Sequence, residues 1–599
     1  MEGTFELTTI DTVVMLLYAV GIIGYGLYSA KAKSSEEYFL AGRDMTWPIV
    51  GISLFAANIS SSTLVGLAGD AFMTRTHVFN YEWLASVVLV FFAIFFLPFY
   101  LQSRVYTMPE FLERRYDQRS RYYFSFVTII GNVLIDTAAG LFVGTVVLKL
   151  LFPSLSTFAI VSILAIASAA YTIPGGLNSV IQTEVIQAIL LVFGSCLITY
   201  FAFTEIGGWS GLIAGLDDLG AAGALPRPEG EYQPTTASEV LSLVRPTGDT
   251  WGEFFLGTGG DGFMPWTGLL LGAPILGFYF WANNQFMVQR VLGAKDLNHG
   301  RWGALFAGLL KLPVLLIMVL PGTAAILMFN GVDITPFNYQ LPGGDICADL
   351  SQCPNATYPL LLKELLPTGI LGLVLAGLLA AMMSSVSATF NSASTLITMD
   401  FVQKLRPDLS STQLVRVGQI STLVLVVLAC LWAPQIERFG SLFAYLQIVL
   451  SFIAPPVAAA FIAGLFSKRV NGTGAFVSLL VGFAITVLFL VMEGTGAQNW
   501  FTEMHFLHRT FYLFILCLLI NFIVSAVTDN ESSEVDPSDP ALADNRVMSF
   551  EEKVRDYTWN SSILSAESEE LKGLPWYKNY RVQSVLLLIV TAILVYFFW

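Results

Sequence analysis

Runs of about 18 or more apolar residues recur along this chain, each long enough to form a transmembrane helix. We read fourteen, at roughly 12–30, 47–69, 80–103, 122–150, 156–173, 183–204, 266–286, 302–330, 359–400, 412–433, 440–466, 473–493, 508–528 and 581–598. A segment surrounded by lipid must satisfy its own backbone hydrogen bonds, so the fold class is an all-α integral membrane protein. Length alone would suggest about four soluble domains, but 55% of the 599 residues are hydrophobic and 12% charged. The segment 359–400 is too long for one crossing, so its end is expected to run on into the cytoplasm.

Net charge is −14, yet the basic residues are concentrated. Lys31, Lys33 and Arg43 follow the first span, and Arg104, Arg114, Arg115, Arg119 and Arg121 follow the third. Arg290, Lys295 and Arg301, then Lys404 and Arg406, then Lys468 and Arg469 fall on the same side if the spans alternate. The positive-inside rule makes that side the cytoplasm and puts both termini outside. The acidic loop 206–265 then lies on the outer face. The N-terminus has no basic n-region and no small-residue cleavage site, so the first span is expected to be retained.

Ser53–Ser62, in the second span, reads Ser-Leu-Phe-Ala-Ala-Asn-Ile-Ser-Ser-Ser. Polar groups at membrane depth are costly unless they face protein, an ion or water. A second interruption, Phe280-Trp281-Ala282-Asn283-Asn284, lies in the seventh span. Matching breaks at the start of two five-span halves, 47–205 and 266–466, imply an inverted repeat, because an odd number of spans reverses orientation. Residues 1–46 form a leading helix and loop. The two halves are joined by outer loop 206–265, the second carries outer loop 331–358, and peripheral helices with a polar cytoplasmic loop at 529–580 follow.

Ala381, Ser384 and Ser385 share one helix face. A carbonyl and two hydroxyls there, with the carbonyls of Ala56 and Ile59, are hard oxygen ligands suited to a monovalent cation. Close helix packing by small residues, with serines bonding back to their own helix, explains the same pattern. Glu82 and Lys311 are intramembrane charges, hence candidates for function or for a structural ion pair. Gln447 could bind solute or join helices. Glu184 and Ser387 could form a second cation site, against a hydrated carboxylate at a helix start. Cys347 and Cys353 share an outer loop, where a disulfide is as plausible as free thiols. Asn355-Ala356-Thr357 is a glycosylation sequon. Gly257-Thr-Gly-Gly-Asp-Gly262 lacks the strand and Lys-Ser/Thr of a phosphate loop and reads as a turn. His505 and His508 have no third metal ligand nearby in sequence, and hydrolase motifs are absent, so an enzyme is not expected.

Glu37-Tyr-Phe-Leu-Ala-Gly-Arg43, Ala56-Ala-Asn-Ile59, Tyr81-Glu-Trp83, Tyr106-Thr-Met-Pro-Glu-Phe111, Gly175-Gly-Leu177, Asn284-Gln285, Gln289-Arg290, Ser384-Ser385, Asn391-Ser392-Ala393 and Thr398-Met-Asp400 occur in that order. With them the chain resembles the sodium/solute symporters, in their sodium/glucose cotransporter branch, over about residues 5–530. The resemblance implies a LeuT-like fold with extra N- and C-terminal helices. It implies Na+, as transported coupling ion, at Ala56, Ile59, Ala381, Ser384 and Ser385, and no organic cofactor. It implies a solute pocket near Asn58, Glu82, Lys311 and Gln447, with Trp281 as floor and Leu67, Tyr81 and Phe443 as outer gate.

The sequence departs from the sugar-binding pattern of related bacterial symporters. Thr63 stands where they have Gln, Ala85 for Ser, Gly277 for Asn, and Phe280 for the inner-gate Tyr. Each lost bond to a buried hydroxyl is worth roughly 1 kcal/mol. The expected activity is sodium-coupled import of a hexose, polyol or sugar acid by alternating access. The expected setting is the lipid bilayer of a plasma membrane or bacterial inner membrane, with no nucleic-acid partner. The alternatives are a sodium symporter for a carboxylate, amino acid or anion, and a membrane sensor.

Overall fold

The computed structural model describes residues 7–599 except 33, 153, 228–231, 245–250, 258–263, 340–344, 435–441, 496–499 and 529–554. The side chains of 442–448 also lie outside the described set. Ten described helices are long and apolar enough to cross a bilayer. Two of them, Ser61–Ser103 and Thr157–Glu205, have 43 and 49 residues and each serve two crossings. Adding the interrupted segments 118–151 and 266–292 recovers the pattern read from hydropathy.

The helices that matter below are α1 (Thr9–Ser29), α2 (Trp47–Asn58), α3 (Ser61–Thr74), α4 (Asn80–Phe91), α5 (Gln118–Ile130) and α6 (Ala138–Leu151). They continue with α7 (Thr157–Glu205), α8 (Ala273–Phe278), α9 (Gln285–Leu292), α10 (Leu297–Lys311), α11 (Ile370–Leu396) and α12 (Leu442–Phe466). α7 holds two crossings joined at Pro174 and Gly176. Gly176 has φ +56°, and a Cβ there would sit 2.3 Å from the Tyr38 carbonyl oxygen, so only glycine fits the kink.

Both expected breaks are present, and each has a local chemical cause. α2 stops at Asn58, and α3 restarts behind a capping box in which Ser60 and Thr63 satisfy each other's backbone N–H groups. Much of the intramembrane serine run is therefore a helix start. In the second half, a π-helical turn at Tyr279–Asn283 ends at Asn284, whose side chain accepts from Phe286 N–H at 3.2 Å and opens α9. The overlong segment 359–400 is divided at its beginning, where Thr357–Leu365 forms a separate short helix before α11, and its helical end runs on to Leu405. Pro367 and the positive φ of Gly369 (+85°) explain that stop.

α11 borrows its cap from the leading helix. One carboxylate oxygen of Asp11 accepts the N–H groups of Gly369 and Gly372, both at 2.7 Å, while Thr8 donates its hydroxyl to the other at 2.6 Å. A carboxylate at a helix N-terminus satisfies orphan donors and complements the dipole. Asp11→Ala should therefore destabilise the protein by about 1–3 kcal/mol, read as a lower midpoint of thermal unfolding in detergent. An unchanged midpoint would mean that water replaces the cap at no cost.

At the basic end, Asp400 accepts hydrogen bonds from Arg121, Thr107 and Ser125 at 2.6–2.7 Å. Arg115 donates to the carbonyls of Gly464, Ser467 and Val470. These contacts tie the two halves together. At the other end Cys347 and Cys353 form a disulfide. Of the remaining cysteines, Cys430 and Cys517 are buried and Cys196, on α7, is exposed.

Candidate functional site

The first break changes what the end of α2 can bind. Ser60 N–H closes on the Asn58 carbonyl, out of the helical pattern, which frees the Ala56 carbonyl. Ser384 on α11 donates its hydroxyl to that carbonyl at 3.4 Å. Ser385, one residue on, donates back to Ala381 at 3.0 Å. Ala56, Ile59, Ala381, Ser384 and Ser385 are all buried. Both readings of the serine pair thus leave a trace: Ser385 bonds back into its own helix, and Ser384 reaches across to the break.

Beside this contact lies a cavity of about 160 Å³. That is smaller than the roughly 300–1,000 Å³ of pockets for drug-sized ligands, and it suits a small solute. Asn58, Thr63, Glu82, Ala85, Gly277 and Lys311 all line it. Lys311 forms an ion pair with Glu82 and donates to the Asn58 side-chain oxygen. Its ammonium lies 5.9 Å from the centre of the Trp281 ring. Trp281 and Phe280 line the same cavity, their rings edge to face at 5.4 Å, and Tyr81 lies on its wall. Thr63 uses its hydroxyl within the chain break, donating to the Asn58 carbonyl at 3.3 Å. Ala85 and Gly277 offer no side-chain hydrogen bond. A Cβ on Gly277 would stand 3.0 Å from Val88, so a larger residue there would require Val88 to shift.

The structure places three further candidates as follows. Leu67 is fully buried in the apolar core and does not line the cavity. Glu184 is neither hydrated nor at a helix start. It is buried well inside α7, ion-paired with Arg290 of α9, and accepts from Ser53 of α2 at 2.5 Å. Ser387 instead shares a 2.6 Å hydrogen bond with Tyr171 and donates to Met383. Glu184 and Ser387 are thus engaged with different partners. Phe443 and Gln447 sit on α12, and their side chains lie outside the described residues.

Asp136 was missed. It belongs to a π-helical turn, Gly131–Thr137, between α5 and α6, and lines the cavity together with Ser62 and Thr389. The signal was an acid inside an apolar span, which is a functional candidate by default.

The sequence profile of the "Sodium:solute symporter family" matches residues 38–482. The chain belongs to the sodium:solute symporter family. Relatives include sodium/glucose cotransporter 1 of Ovis aries, 33% identical over 534 residues, covering 86% of this chain and 78% of the relative. A sodium/mannose cotransporter of Bos taurus is 36% identical over 497 residues, covering 82% and 80%. A sodium-coupled sialic acid symporter, solved in a substrate-bound outward-open state, matches with a TM-score of 0.69 at 22% identity, over 87% of this chain and 98% of the other. That similarity bears on the fold, which is the LeuT-like inverted repeat. This sodium:solute symporter is a multi-pass membrane transporter coupled to sodium, and it is not an enzyme.

Proposed function

We propose that this symporter imports a small neutral sugar, a hexose or a closely related polyol, together with sodium. The observation that carries the reading is adjacency: Ala56, which meets the serine helix, and Asn58, which meets Lys311 and Glu82, end the same broken helix two residues apart. Sodium held by the carbonyls of Ala56, Ile59 and Ala381 and the hydroxyls of Ser384 and Ser385 would fix the end of α2. The amide of Asn58, on that same end, would then be set for the solute. Two ligands that order one element help each other bind.

Glu82, Lys311 and Asn58 supply both acceptors and donors, as a polyhydroxylated solute requires. Trp281 offers an apolar face, and Phe280 and Tyr81, which line the same cavity, would serve as its inner and outer gates. Gln447 and Phe443 complete this reading as solute contact and outer gate. The acidic loop faces outside, and both termini lie there with it. Each sodium entering an interior-negative cell releases about 2.3 kcal/mol per 100 mV, in addition to its concentration gradient.

The test is uptake of labelled hexoses and myo-inositol into proteoliposomes under an inward sodium or potassium gradient. Sodium-specific uptake of a neutral sugar is expected, with Ser385→Ala raising the sodium concentration for half-maximal uptake on the order of tenfold, the worth of one lost ligand. Uptake of organic acids or amino acids in preference to sugars would overturn the solute assignment. Unchanged sodium dependence in Ser385→Ala would overturn the ion site.

A further inference from the structure

The charges around the cavity do not cancel. Glu82 is matched by Lys311, but Asp136 lines the same space and has no hydrogen-bond or ion-pair partner among the described residues. A carboxylate left alone at membrane depth is strongly disfavoured. We propose that Asp136 holds a second monovalent cation, sodium or a proton, at the solute cavity. The proposal rests on the symport reading only in making that cation a travelling one.

Ser60, Ser62, Thr63 and Thr389 line the same cavity and bring hydroxyl oxygens to it. Thr137, the residue after Asp136, shares a 2.6 Å hydrogen bond with Thr389 of α11. Thr389 donates back to the Ser385 carbonyl at 3.1 Å. Two threonine hydroxyls therefore connect the Ser385 carbonyl of α11 to the residue that follows Asp136. Carboxylate and hydroxyl oxygens are the ligands that hard monovalent cations prefer. Asp136 sits on a π-helical turn, one of five among the described residues, and such turns are frequent at functional sites. The other charged and titratable groups on this cavity are Glu82 of α4, Lys311 of α10 and Tyr81, and Tyr279 of the second broken helix is close enough to feel the charge of Asp136. Lys311 is already committed to Glu82 and Asn58, and neither tyrosine carries a positive charge. The missing charge must come from solution.

Two measurements on the purified full chain test this without knowledge of the solute: equilibrium binding of radioactive sodium, and infrared absorption of protonated carboxyl groups at neutral pH. Two sodium ions per wild-type chain, reduced to one in Asp136→Asn and retained at two in Asp136→Glu, would assign sodium. One sodium ion with a protonated-carboxyl band that Asp136→Asn removes would assign a proton. One sodium ion and no such band in the wild type would overturn the proposal, whatever the folding of the variants. Ser385→Ala should weaken the other sodium site and leave the Asp136 signal in place. Two bound cations without uptake of any hexose or polyol would overturn the solute assignment and leave the second cation standing.

Discussion

Lys311→Met is expected to abolish sodium-driven uptake and to destabilise the protein by about 3–5 kcal/mol, because it leaves Glu82 buried and unpaired. Lys311 meets Glu82 and Asn58 at once, its side chain is 1% exposed, and a neutral water in the cavity cannot supply the positive charge that Glu82 requires. The double variant Glu82→Gln with Lys311→Met removes both charges. It should recover most of the lost stability, since a buried pair adds little over a neutral replacement. Uptake should stay absent, because the lysine donor and both charges are gone from the solute cavity. Thermal unfolding in detergent gives the first quantity and proteoliposome uptake the second. Recovery of uptake in the double variant would mean that the pair is structural and that the solute binds elsewhere.

Arg290→Leu should be as damaging, but for a different reason. Both side chains of the Glu184–Arg290 pair are 0% exposed, and Glu184 also bonds Ser53 of the first broken helix. The pair joins α7 to α9 and, through Ser53, to α2. Losing the arginine leaves an unmatched buried carboxylate, worth about 3–5 kcal/mol. Glu184→Gln with Arg290→Met should restore the unfolding midpoint and leave sodium affinity unchanged. A double variant that is stable but binds sodium poorly would instead return Glu184 to the list of ion ligands.

How much was legible follows from what each residue does. The spans and the two breaks were readable because lipid admits few backbone solutions, and Asn58, Ser60 and Asn284 are polar where lipid excludes polarity. Six of the seven proposed solute contacts line one cavity: Glu82 and Lys311 were readable as intramembrane charges, and Asn58, Thr63, Ala85 and Gly277 came with the family resemblance. The partner of Glu184 was not readable: Arg290 lies 106 residues away, and it entered as a basic marker of the cytoplasmic side and as part of the Gln289-Arg290 motif, with no pairing implied. Asp136 was overlooked because a single acid barely lowers the hydropathy of Val133-Leu-Ile-Asp136. The stop at Pro367 and Gly369 was hidden for the same reason, inside a stretch whose average composition reads as one helix.

Asp11 also limits how far this transporter can be pared down. The helix carrying Ser384 and Ser385 starts on a carboxylate that belongs to neither five-helix half. Removing α1 would leave every residue of the cavity in place and still fray the element on which those serines stand. The two halves are thus not a self-sufficient module, and a minimal engineered version would need a new acceptor grafted in front of Gly369.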